Sequence, residues 1–144
     1  PINRIDLQKI KKKKINLVIF GHGNVGSHLI DQIIKSQKEI SRKRDLDVTI
    51  FGIANSTHIV LKHDGLDLNW EVIKAEKGEN FIIKDVVDFT RKNNLENLIA
   101  IDNTSSSDLV AQYPLLVANG FHLISSRLQL GLECQYQYFQ FLRC

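Results

Sequence analysis

Three glycines, in the order Gly21-His22-Gly23-Asn24-Val25-Gly26, carry the plainest chemical signal in this chain. The apolar run Ile15-Asn16-Leu17-Val18-Ile19-Phe20 precedes them, and Val25, Leu29 and Ile33 follow at helical spacing. A buried strand is therefore expected to turn sharply into an amphipathic helix. In that setting Gly21 permits the tight turn, Gly23 lets backbone approach a pyrophosphate, and Gly26 lets the helix pack closely on the strand. The free N–H groups and positive dipole end at the helix start then face the anion. Glycines at this spacing also suit a purely structural turn in another α/β domain. The strand before and the helix after favour a nucleotide site.

Other chemistry is sparse. His22, His28, His58, His63 and His122 show no metal-ligand spacing such as H-x-x-x-H, so no metal site is expected. His22 reads as a tolerant turn position within the glycine loop. There is no G-x-S-x-G elbow, no context for a cysteine nucleophile and no pair of catalytic carboxylates. No catalytic residue is assigned in this chain, and the chemistry must come from a bound cofactor or from residues elsewhere. Cys134 and Cys144 form no C-x-x-C pair, which argues against a disulfide framework or zinc knuckle and for a thiol-reducing cytoplasm.

At 144 residues the chain suits one domain. Its 19 Lys+Arg exceed 16 Asp+Glu, and the excess comes largely from Lys11, Lys12, Lys13 and Lys14. With no aromatic residues interleaved to stack bases, this run reads as a solvated lead-in, and no nucleic-acid partner is expected. No apolar stretch reaches membrane-spanning length, so no membrane partner is expected either.

The elements that position the glycines follow from hydrophobic period and punctuation. Residues 1–14 read as a polar tether, with Ile2, Ile5, Leu7 and Ile10 as scattered apolar positions. Residues 36–45 read as a charged connection. Asp47-Val48-Thr49-Ile50-Phe51-Gly52-Ile53-Ala54 forms a second strand that stops at Asn55-Ser56, which completes a parallel βαβ unit. Residues 57–78 are the least regular part, with Leu66, Leu68 and Trp70 as core anchors. Asn80 is the expected N-cap of a helix with an Ile82, Ile83, Val86, Val87 and Thr90 stripe, stopped by Asn93-Asn94. Leu98-Ile99-Ala100-Ile101 is a strand that runs into Asp102-Asn103-Thr104-Ser105-Ser106-Ser107. Polar groups at the carboxyl end of a parallel strand lie where open α/β sheets bind ligands, and Ser105 or Ser106 also suits the N-cap of a helix near Asp108. Leu109, Val110, Tyr113 and Val117 form that helix's core face. Pro114 kinks it or starts another, Gly120 ends it, and Phe121-His122-Leu123-Ile124 is a fourth strand.

Taken together, three blocks resemble the N-terminal NAD(P)-binding domain of homoserine dehydrogenase, as in bifunctional aspartokinase–homoserine dehydrogenases. They are Val18 to Gly26 with Ser27-His28-Leu29; Gly52-Ile53-Ala54-Asn55-Ser56 with Gly65-Leu66-Asp67-Leu68 and Trp70; and Ile101-Asp102-Asn103-Thr104-Ser105-Ser106 with Val110-Ala111, Tyr113 and Gly120-Phe121-His122-Leu123-Ile124-Ser125. The resemblance spans about residues 15–126. It implies an α/β, Rossmann-type, doubly wound and mostly parallel sheet in three layers, with 127–144 as an atypical tail. It also implies NAD(P)-dependent reduction of aspartate semialdehyde to homoserine, on the path to threonine and methionine. By the same resemblance Gly21, Gly23, Asn24, Val25 and Gly26 hold the pyrophosphate. Ala54, Asn55 and Ser56 lie near the adenosine ribose, and Asn103, Thr104, Ser105 and Ser106 along the nicotinamide side. An acid at the end of the second strand would repel a 2′-phosphate; Asn55 and Ser56 stand there instead, which permits NADP beside NAD and leans towards it.

Two departures bear on activity. Ser125-Ser126 leads into Arg127-Leu128, where the family has asparagine and then an active-site lysine. The tail from Gln129 to Cys144 reads poorly as the family's continuation, although Tyr136, Tyr138 and Phe139 are similar to its aromatic helix. The family's substrate domain lies beyond this chain, so the small-molecule substrate is expected to be held by a domain absent here, and the chain alone to turn over little. Surface that such a domain covers would be left exposed, making a homo-oligomer an expectation. The rival readings are a non-catalytic NAD(P)-binding or sensor module, another Rossmann dehydrogenase or reductase acting on a different aldehyde or imine, and an electrostatic nucleic-acid binder using the lysine run.

Overall fold

The computed structural model describes residues 13–125. The N-terminal residues up to Lys12 and the stretch from Ser126 onward, with Arg127, Leu128, Cys134, Tyr136, Tyr138, Phe139 and Cys144, lie outside the described residues.

Four strands run parallel: β1 (Lys13–Phe20), β2 (Leu46–Ala54), β5 (Leu98–Asp102) and β6 (Phe121–Ser125). Two short strands, β3 (His58–Leu61) and β4 (Glu79–Asn80), extend the β2 edge antiparallel, giving the order β4-β3-β2-β1-β5-β6. The sequence reading of a mostly parallel α/β sheet holds, and each of the strands it named pairs in parallel. β1 starts at Lys13, inside the segment read as tether, because Lys13 and Lys14 continue the ladder opposite Leu46 and Asp47.

Helices cover both faces. On one side α1 (Asn24–Arg44) and α2 (Trp70–Lys77) close a core of Leu17, Ile19, Ile30, Ile50, Ile53 and Trp70. On the other, α3 (Ile83–Lys92), α4 (Ser107–Ala111) and α5 (Tyr113–Ala118) pack over Val18, Phe20, Phe51, Ala100 and Leu123. β1 lies between two layers, so its residues from Leu17 to Phe20 are all buried, as a strand covered on both faces requires.

Several local expectations are corrected. Residues 36–45 are no connection: α1 runs through them to Arg44, since Gln37 Nε2 donates to the Val48 carbonyl at 2.9 Å and Glu39 and Lys43 pair at 2.8 Å on the wet face. Its terminal Arg42, Lys43 and Arg44 complement the negative end of the helix dipole. The stretch 57–78 contains β3 and α2, whose short lengths leave too little period to read. Asn80 belongs to β4; the residue before α3 is Ile82, whose N–H donates to the Asp85 carboxylate at 2.9 Å. Ile82 and Leu68 are exposed rather than core, as is Val25, because Ile30 and the half-buried Leu29, Ile33 and Ile34 are the positions α1 turns to the sheet. Leu116, unread in the sequence, is fully buried on α5.

Ile30→Ala is expected to lower unfolding free energy by about 2–5 kcal/mol, through lost transfer energy and a cavity. Val25→Ala is expected to change it by less than about 0.5 kcal/mol, as at an ordinary surface position. Urea denaturation of both variants checks the assignment of the buried stripe.

Candidate functional site

The register sets the site. Phe20, the last residue of β1, stands opposite Ala54 at the end of β2 and opposite Asp102 at the end of β5. All the loops that leave these strands therefore emerge together, at the carboxyl edge where parallel sheets present backbone and polar groups to ligands. Backbone hydrogen bonds stitch the exits: Gly21 N–H donates to the Ala54 carbonyl at 2.7 Å, and Asn103 N–H donates to the Phe20 carbonyl at 2.8 Å.

The glycines have different duties. Gly21 turns the chain at φ +94°, a conformation that side chains rarely adopt, and a Cβ there would stand 3.0 Å from the Asn103 carbonyl group. At Gly26 a Cβ would stand 2.1 Å from the Gly21 carbonyl oxygen, so this residue is what lets α1 lie against the turn. A Cβ on Gly23 would meet nothing within 4 Å. The fold does not need glycine at that point, but an anion approaching the N-terminus of α1 does, and Gly23, Asn24 and Val25 are exposed there. Asn103 Nδ2, a buried donor with no partner in the fold, lies 3.6 Å from where a Cβ on Gly26 would stand. Open space above one glycine and an idle donor beside another fit a pyrophosphate.

The β5 exit is held by a buried carboxylate that the sequence reading passed over. Asp102 Oδ1 accepts from Thr104 N–H at 2.7 Å and Thr104 Oγ1 at 2.6 Å, while Oδ2 accepts from the Tyr113 hydroxyl on α5. Asp102 is fully buried. It fixes both the loop 103–106 and the helix pair behind it. Ser106, not Ser105, caps α4, its Oγ accepting from Leu109 N–H at 3.3 Å; Ser105 is exposed. The signal for Asp102 was its place at the end of an otherwise apolar strand, where a lone acid must find donors.

His22 is more than a tolerant turn position. Its ring meets the Trp70 indole edge-on, with centroids 5.4 Å apart, and Trp70 Nε1 donates to Asp31 on α1 at 3.1 Å. The glycine loop, α1 and α2 are thus clasped together. Burial lowers the imidazole's pKa, the Lys74 ammonium adds to the effect, and Glu71 opposes it. Nε2 of His22 is buried without a partner.

Across the carboxyl edge, a cleft of about 510 Å³ brings Asn55, Ser56, Thr104 and Ser106 together under Phe20. Asn55 builds the β2–β3 turn, its Oδ1 accepting from Thr57 N–H and His58 N–H at 3.0 and 2.7 Å. Ala54 is fully buried and contributes to this edge through its carbonyl alone, so its side chain faces core rather than ligand. Among the described residues no cluster of His, Cys, Asp and Glu is arranged to hold a metal ion, and no helix is long and apolar enough to cross a membrane.

Tyr113→Phe is expected to cost about 1–3 kcal/mol, since it takes a donor from a buried carboxylate; thermal unfolding measures it. For His22 the sign is set by its lowered pKa. Above its ordinary value of 6.5 the ring is neutral folded and unfolded alike, whereas below it the unfolded chain takes up the proton more readily. Stability should therefore fall as pH drops below that value towards the folded pKa, and His22→Gln should flatten this part of the urea-midpoint profile.

Comparisons with known proteins agree with this geometry. A model of the family described as "Homoserine dehydrogenase, NAD binding domain" matches residues 21–135. The bifunctional aspartokinase/homoserine dehydrogenase of Buchnera aphidicola is 31% identical over 133 residues, covering 92% of this chain and 16% of that protein. Bifunctional aspartokinase/homoserine dehydrogenase 2 of Escherichia coli is 28% identical over 136 residues, covering 90% and 16%. This chain thus spans about one sixth of the length of these curated relatives. In fold it is similar to S. aureus homoserine dehydrogenase, with a TM-score of 0.65 at 17% identity over 91% of this chain and 30% of the other. A hyperthermophilic archaeal homoserine dehydrogenase mutant, solved in complex with NADPH, superposes with a TM-score of 0.65 at 19% identity, over 90% of this chain and 41% of that one. The register, the glycine loop and the family match lead to one conclusion: the chain belongs to the homoserine dehydrogenase family and carries its NAD-binding domain.

Proposed function

We propose that this chain binds the dinucleotide for a homoserine dehydrogenase that interconverts homoserine and aspartate 4-semialdehyde in threonine and methionine biosynthesis. The observation that carries this reading is the open space above Gly23 at the N-terminus of α1, flush with the ends of β2 and β5. When bound, the reduced nicotinamide supplies hydride to the aldehyde carbon. The N–H groups at the start of α1 bind the pyrophosphate, and Asn103 Nδ2 has a free donor beside them. Thr104, held by Asp102, and Ser105 and Ser106 line the route towards the nicotinamide. Turnover also needs groups that hold the small-molecule substrate and move its proton, and none is assigned among the described residues.

Both NAD and NADP fit the reading, with the lean to NADP resting on the absence of an acid at Asn55 and Ser56. A cytoplasmic location rests on cysteine spacing, and self-association on the surface such a domain would share with its neighbour.

Titration of the chain with NADPH and NADH, followed by nicotinamide fluorescence, is the test. Saturable binding is expected, with Gly23→Val weakening it by about tenfold or more while lowering the unfolding temperature far less than Gly26→Val does, because a Cβ at position 23 meets no protein atom within 4 Å. Gly26→Val, by contrast, should unfold at lower temperature. A folded chain that binds neither nucleotide, or a Gly23→Val variant that binds as well as the parent, overturns the reading.

A further inference from the structure

Lys84 is the only lysine or arginine among the described residues lining the cleft between the β2–β3 turn and the start of α3. It sits in the first turn of α3, so its ammonium adds to the positive end of that helix dipole. Across the cleft the turn Asn55-Ser56-Thr57-His58 holds neither a lysine or arginine nor an acid. Asn55 spends its Oδ1 on the turn itself, which leaves its Nδ2 and the hydroxyl of the exposed Ser56 as the polar groups of that wall. Phe81, Ile82 and Leu115 add apolar surface to the same cleft, and Ile82 and Leu115 are open to solvent although apolar. A flat base, a ribose and a negative group at the ribose edge match these walls in turn.

The acids around Lys84 do not satisfy it. Asp85 on the same turn is committed to the Ile82 N–H at 2.9 Å. Asp88, one helical turn on, lies 3.7 Å from the ammonium, with the two side chains 73% and 54% exposed, so the pair is loose and easily exchanged. Among the described residues Asp108 is the one acid lining the cleft, from the first turn of α4. A lysine head on a flexible stem is suited to a phosphate that arrives as a compact dianion.

We propose that Lys84 is the specificity residue for the phosphate on the ribose 2′ position, so that this cleft takes NADP(H) in preference to NAD(H). The proposal rests on the nucleotide reading above. It assigns discrimination to the start of α3, not to the β2–β3 turn.

The test uses the chain itself with NADPH, NADH, 2′,5′-ADP and 5′-ADP as probes, on the parent, Lys84→Ala, Lys84→Glu and His58→Ala. The expected result is a parent that prefers NADPH, an NADPH affinity about tenfold weaker in Lys84→Ala and weaker still in Lys84→Glu, with NADH affinity kept. The ADP pair should follow the same order, and the parent's preference should shrink as salt rises. Equal loss for both nucleotides, an unchanged ratio in Lys84→Ala, a parent that prefers NADH, or a preference lost only in His58→Ala overturns the assignment to Lys84 while nucleotide binding itself stands. Failure of the parent to bind any probe overturns the nucleotide reading, and this proposal with it.

Discussion

The alignment of Phe20 with Ala54 on one side and Asp102 on the other governs everything at the carboxyl edge. A parallel pair has no hairpin to fix its register, so the alignment must come from side-chain burial on both faces. Slipping β1 by one residue would exchange Val18 and Phe20, which face α3 and α5, with Leu17 and Ile19, which face α1 and α2. Both cores would be lost together. The double coverage of the sheet is thus what brings the β1, β2 and β5 exits to one level, and the bonds from Gly21 to Ala54 and from Asn103 to Phe20 are possible only at that level.

Two clasps then fix what the register brings together. Asp102 gathers Thr104 and the Tyr113 hydroxyl about one buried carboxylate, and so joins the β5 loop to α5. Taking a carboxylate out of water is costly unless donors replace the water; here both oxygens have them. On the opposite face Trp70 touches His22 and donates to Asp31, joining the glycine loop to α1 and α2. Each clasp reaches a loop that would touch ligand from a helix that would not. Preorganising those loops reduces the ordering cost that binding would otherwise meet.

The parts of this architecture that are legible in the sequence are those with strong periods or unusual residues. The β1, β2, β5 and β6 runs are apolar over enough residues to exclude most alternatives, and Gly21-His22-Gly23-Asn24-Val25-Gly26 between strand and helix has few other uses. A serine cap at 105 or 106 and a break at Pro114 are readable too, because each residue type has a local backbone role; the choice of Ser106, and of a new helix over a kink, comes from the fold. β3 and α2 are not, since a strand of four residues and a helix of eight depend on tertiary contacts, chiefly Trp70, for their existence. Val25, Leu68 and Ile82 mislead for a common reason. Apolar type suggests burial, but each stands at an element boundary or in a loop, where period no longer dictates facing.

The glycine loop shows how binding and folding can be separated within a few residues. Gly21 and Gly26 answer to the protein: one supplies the positive φ, the other the absence of a Cβ under α1. Gly23, the N-cap residue of α1, carries neither constraint, since its φ of −67° is open to any residue and a Cβ there would meet nothing within 4 Å. A sequence selected for stability alone has reason to replace such a glycine, whose backbone freedom costs entropy on folding. Glycine at this position suits a ligand that would come within the radius of a side chain, and the N-terminus of α1 behind it suits an anion there.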